Sequence, residues 1–148
     1  MNEERAMREY GKMNTRFAVE SASPHRLIQL MMERVLTKIA IAHGHMERGA
    51  VSEKGRHIGD AIGIISGLRA SLNHEADARL CGNFDAVYDY MSRRLFEANL
   101  RNETSILDEV AGLLRELKEA WDAIGDDAGA RVDGVSHATA GAAPRGNS

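Results

Sequence analysis

The sequence predicts an all-α fold: an antiparallel up-down bundle of four long helices, with a short N-terminal arm and a disordered C-terminal tail. Three observations predict it. Four segments carry apolar residues at steps of three and four. The links between them are short, which forces neighbouring helices to run antiparallel. Aromatic residues are only 5% of the chain against 43% hydrophobic, so Leu, Ala, Met and Ile carry the core, a mixture that favours helix over sheet.

Residues 1–22 are polar and weakly periodic, with Tyr10, Phe17 and Val19 scattered among charges; they read as a flexible arm. Ser23-Pro24 then starts a helix. Ser23 can cap free backbone amides, and Pro24 suits the first helical position, where its missing N–H is not needed. Leu27, Met31, Val35, Ile39, Ala42 and Met46 recur at helical spacing, and Ile28, Met32 and Leu36 widen the apolar arc. This helix is expected to end at about Glu47 or Arg48, before Gly49. The second runs over about 51–72, with Ile58, Ile62, Ile65, Leu68 and Leu72 on its apolar face.

The third spans about 78–100, with Leu80, Phe84, Val87, Tyr88, Met91, Leu95 and Ala98 in register. Tyr88 and Tyr90 cannot share one side of a helix; Tyr88 is expected inward and Tyr90 nearer the surface. The fourth spans about 103–124, where Ile106, Val110, Leu113, Leu117, Trp121 and Ile124 give the cleanest period in the chain, with Trp121 in the core. After Ile124 the composition turns to Gly, Ala, Ser, Asp and Thr, too poor in large apolar residues to offset the entropy of ordering. The chain thus divides into an arm (1–22), a helical bundle (23–124) and a disordered Gly/Ala-rich tail (125–148).

Composition excludes several functions. A net charge of −3 leaves no basic excess for nucleic acid. No apolar run is long enough for stable membrane insertion. Residues 1–10 are charged and do not read as a secretory signal. The single cysteine, Cys81, cannot form an internal disulfide, which suits a reducing, cytoplasmic compartment. Cys81 itself reads as a small residue at a helix surface or edge.

Chemistry is equally absent from the spacing. His43 and His45 are two apart and so point to different helix faces. No His-Glu-x-x-His, Cys-x-x-Cys or repeated Glu-x-x-His occurs. Neither a catalytic residue, a cofactor nor a metal ligand is assigned. An enzyme would need a site assembled from scattered residues, so holding another protein is the favoured function class.

Two features suit such a role. Gly55, Gly59, Gly63 and Gly67 recur every four residues inside the second helix, each at about 1 kcal/mol of helix propensity relative to Ala. They mark either a close crossing within the bundle or a groove left open for a partner. The wide arc of the first helix is either core on several sides or a methionine-rich docking surface, Leu27 and Met31 among its members.

The run Ser23-Pro24-His25-Arg26-Leu27-Ile28 is similar to the Ser-Pro-x-x-Leu-Ile signature of the flagellar secretion chaperone family FliS. Val87-Tyr88-Asp89-Tyr90-Met91, then Leu95 and Ala98-Asn99, resembles that family's Leu-Tyr-Asp-Tyr-Met…Leu…Ala-Asn block. Glu109-Val110, Leu113-Leu114 and Ala120-Trp121 resemble its last helix, and Tyr10 stands where the family has a tyrosine in its arm. Departures are Val87 for Leu, Asp77-Ala78-Arg79-Leu80-Cys81 for a Gly-Gly element, and Met32-Glu33-Arg34 for Tyr-Asp-Gly.

The resemblance implies a cytoplasmic export chaperone that binds the disordered C-terminal region of flagellin. It would prevent premature polymerisation and aid delivery to the flagellar type III export gate, a further partner. A helical adaptor for a different amphipathic partner is the alternative. The expected partner-binding residues are Tyr10, Leu27, Met31, Ile58, Ile62, Ile65, Leu72, Tyr88, Met91, Leu95 and Asn99, with Tyr10 lying over the groove until a client displaces it. The oligomeric state is left open, a homodimer included.

Overall fold

The computed structural model describes residues 22–72 and 78–133, with side chains described over 22–72 and 81–125. Among the described residues the structure is helical, with no strand. The helices are α1 (Pro24–Glu47), α2 (Val51–Ala70), α3 (Ala78–Arg101) and α4 (Thr104–Asp133). The four expected segments are therefore present, and only the end of α4 departs widely from its expected boundary. Tyr10, most of the arm, and the tail beyond residue 133 lie outside the described residues.

Each helix end has a local cause. Ser23 Oγ accepts from the Arg26 amide at 3.1 Å, and Pro24 follows it into the first turn. α1 stops at Gly49, whose φ of +74° is open to a residue without Cβ. The Ala50 amide reaches back to His45 O at 2.9 Å and the Gly49 amide to Met46 O at 3.2 Å, the paired bonds of a Schellman close. α3 ends the same way on Asn102, at φ +57°, with the Glu103 amide on Ala98 O at 3.3 Å. Gly125, at φ 75° and ψ −169°, breaks α4 at the expected end of the fourth helix. Helical backbone nevertheless resumes beyond it, through Asp133.

Interhelical contacts give a square ring in chain order: α1 packs on α2 and α4, and α3 packs on α2 and α4. Ion pairs and hydrogen bonds fix the antiparallel sense. Arg69, at the end of α2, holds Asp85 at the start of α3 (2.8 Å). His43, late in α1, meets Asp108, early in α4, at 3.3 Å. His25 and Trp121 join the start of α1 to the far end of α4. The core inside the ring includes Met32, Val35, Ile65, Leu68, Tyr88, Met91, Leu95, Leu107, Leu114 and Trp121. Tyr88 and Trp121 are inward as expected.

Cys81 corrects the sequence reading: it is fully buried rather than at a surface or edge. It sits three residues before Phe84 and seven before Tyr88, so the same face carries all three inward.

Candidate partner-binding surface

The expected contact residues fall into two groups. Ile58, Ile65, Tyr88, Met91 and Leu95 are core side chains, each at 1% exposure or less. They serve the bundle in this structure, because a helix spends its most regular apolar stripe on its own neighbours. Met31, Ile62 and Leu72 are half-buried and pack against that core from outside, and Leu27 is half-buried as well. Asn99 is also half-buried, and its carbonyl accepts from Lys54 Nζ at 2.9 Å.

The same Lys54 donates to Asn102 Oδ1 at 2.9 Å. A buried ammonium at the start of α2 thus holds the α3–α4 turn in place. Asn99 also faces Gly55, whose added Cβ would stand 3.8 Å from the amide.

The Tyr88-Asp89-Tyr90-Met91 block is structural glue. Tyr88 and Met91 are core, and burial holds the Tyr88 phenol protonated far above its ordinary range. Asp89 receives Arg69 of α2 at 3.3 Å. Tyr90 Oη donates to Glu109 of α4, which also takes Arg94 at 2.9 Å. The Tyr90 hydrogen bond, followed by those of Arg94, lowers the Glu109 pKa.

The surface features lie elsewhere. Phe96 and Leu100 are 64% and 75% exposed, one turn apart on α3. Val51 and Ile41 are exposed too. None of these four stands among the expected contact residues. The one signal for them in the sequence is that Phe96 and Leu100 fall outside the Tyr88, Met91, Leu95 and Ala98 stripe while remaining large and apolar.

The glycine track divides. Gly55 and Gly67 face neighbours, Gly67 with Met31 Cε at 3.2 Å from a would-be Cβ. Gly59 and Gly63 meet nothing within 4 Å. They line an open depression between α1 and α2 with Arg34, Lys38, Asp60 and Ile64, across which Lys38 and Asp60 pair at 3.0 Å. A close helix crossing therefore does not account for the middle two glycines. Among the described residues no helix is long and apolar enough to cross a membrane.

A family model described as flagellar protein FliS matches residues 6–128. A flagellar secretion chaperone FliSB of Pseudomonas aeruginosa is 51% identical over 120 residues, covering 81% of this chain and 95% of the relative. The flagellar secretion chaperone FliS of Salmonella typhimurium is 41% identical, covering 76% of this chain and 84% of its own. That of Vibrio cholerae is 32% identical, covering 80% and 88%.

Proposed function

The chain belongs to the FliS family of flagellar secretion chaperones, which are not enzymes, and on that premise we propose that it acts in the cytoplasm on flagellin. It binds the disordered C-terminal region of newly made flagellin, keeps that region from polymerising early, and helps deliver it to the type III export apparatus.

The observation that carries this reading is the pair Phe96 and Leu100, large apolar side chains left in water one turn apart on α3. Spaced four apart on one helix, they present the i, i+4 anchors that an amphipathic client helix can cover. A client that folds on binding must bury much apolar area to offset its ordering entropy, and these two residues, with Val51 and Ile41, are among the large apolar groups exposed for it. The open glycines of α2 suit a docking surface as well, because without a Cβ they let a second backbone come close. Met31, Ile62 and Leu72 border the core from outside and extend the apolar surface, whereas Ile58, Ile65, Tyr88, Met91 and Leu95 act by holding its shape.

Titration of the purified chain with a flagellin C-terminal peptide tests this. A stoichiometric complex with a gain of helical circular dichroism is expected, and Phe96→Ser with Leu100→Ser should weaken it at least tenfold, about 1.4 kcal/mol or more. No complex at micromolar concentrations would exclude the reading.

A further inference from the structure

We propose that His45, Glu53 and His57 form a binding site for a divalent transition-metal ion of the zinc type, beside the turn that joins α1 to α2. One ligand atom from each of the three lies within 4.8 Å of those from the other two. Glu53 and His57 are four residues apart on α2 and so share a face. Helical side chains lean over the preceding turn, which aims His57 back toward Glu53. The Gly49 turn folds the last residues of α1 onto that face, bringing in His45. The two imidazoles lie with centroids 5.5 Å apart and planes 16° from parallel.

A second observation points to a ligand independently of the cluster. His57 is 8% exposed, and its Nδ1 has no hydrogen-bond partner among the described residues. Buried polar atoms are nearly always partnered, so an orphaned imidazole nitrogen asks for a bound species. A metal ion among imidazole and carboxylate donors is one such species, and the donor set selects its class. Two nitrogens and one oxygen suit zinc and its neighbours over calcium or magnesium, which take oxygen ligands. Three protein ligands leave a fourth position for water.

The site has to tighten on binding. Bonds of about 2.0–2.2 Å put tetrahedral ligand atoms about 3.3 Å apart, so the three groups close by up to roughly 1.5 Å. His45 is half-buried and Glu53 exposed, and both can turn on their side-chain torsions. Two arginines compete for these donors. Arg56 Nη2 sits 2.6 Å from Glu53 Oε1, and Arg48 Nη2 sits 3.2 Å from His45 Nδ1. Both hydrogen bonds lie at the surface, where the arginines can swing into solvent, so they set the affinity without closing the site. Lys38 and Asp60, paired nearby, complete the charged surroundings of His57.

The test is a calorimetric titration of the untagged full chain with Zn²⁺, paired with melting temperature and the histidine ring resonances in NMR. The expected result is one zinc ion per chain at micromolar affinity, a raised melting temperature, and shifts confined to His45 and His57. His45→Ala and Glu53→Gln should each weaken binding about tenfold or more, while Arg56→Ala should strengthen it. His57 is buried and its substitution risks the fold; His45 and Glu53 lie nearer the surface, so those variants carry the test, with circular dichroism confirming that they fold. Binding no tighter than millimolar, or micromolar binding that survives both variants, overturns the site.

Discussion

His25 and Trp121 each hydrogen-bond the backbone carbonyl of the other. His25 Nε2 donates to Trp121 O at 2.8 Å, Trp121 Nε1 donates to His25 O at 3.0 Å, and the rings stack with centroids 5.0 Å apart. The pair closes the ring of helices between the first turn of α1 and the last turn of α4 before Gly125. Phe84 of α3 meets the indole edge-on at 5.8 Å, so three helices converge there.

Trp121→Phe should therefore cost about 2 kcal/mol, from a cavity and from the loss of the indole hydrogen bond to His25 O. A double-mutant cycle with His25→Ala should show coupling of about 0.5–3 kcal/mol. Denaturant unfolding measures both; each bond runs to a backbone carbonyl that neither substitution removes, so the coupling reads the stacked rings, and strict additivity would mean that the stack contributes nothing.

Lys54 and Asn102 predict a contrast at the α3–α4 turn. Asn102→Gly keeps the left-handed backbone but loses the side-chain acceptor, while Asn102→Ala loses the acceptor and strains φ. Alanine should be the worse by about 1 kcal/mol. Lys54→Met should cost about 1–3 kcal/mol, because the Asn99 carbonyl and the Asn102 side chain lose their shared donor. Equal thermal shifts for Gly and Ala at 102 would count against the backbone argument.

Gly59→Ala and Gly63→Ala should each stabilise the free protein by up to about 1 kcal/mol, since the new Cβ meets nothing and the unfolded chain loses freedom. Gly67→Ala should gain less, because Met31 Cε must yield. If the groove receives a client, the double Ala variant should be more stable and yet bind more weakly. Stability and affinity rising together would leave the groove without that role.

Acid should destabilise the bundle through its clamped carboxylates. The Tyr90 hydrogen bond and Arg94 hold Glu109 below its ordinary 4.5, and hydrogen bonds from Arg101 and Arg94 do so for Glu97. With folded values lowered, the unfolded chain takes up protons first. The stability these groups contribute is present above their unfolded values and is lost as pH falls through the folded ones. Below the ordinary 4.5 of these two carboxylates the unfolding midpoint should therefore drop with falling pH, less steeply in Glu109→Gln. An unchanged slope in that variant would remove Glu109 from the account.

The bundle was legible because four periodic stripes and short links leave few other packings. Those stripes alone put Tyr88 and Trp121 inward, where they lie. The surface was less legible. A period identifies the residues a helix shares with its neighbours, so it singled out Ile58, Ile65, Tyr88, Met91 and Leu95, which are core. It passes over Phe96 and Leu100, whose significance is that no neighbour covers them. The burial of Cys81 has no signal in its own turn; only Phe84 and Tyr88, further along its face, carry one. The two open glycines depended on which flank of α2 met α1 and α3, a tertiary fact. The histidine cluster was invisible for a related reason, since His45 joins Glu53 and His57 only across the Gly49 turn.

The ring order of the helices makes the fold nearly cyclic as a path in space. Residues 25 and 121 already touch, so a short peptide bridging the two ends of the bundle would complete the circuit, and the chain could be opened instead at the Gly49 turn. Such a circular permutant keeps the pairings of the four helices while changing which of them emerges first from the ribosome. It would separate what the packed ring needs from what the order of synthesis supplies.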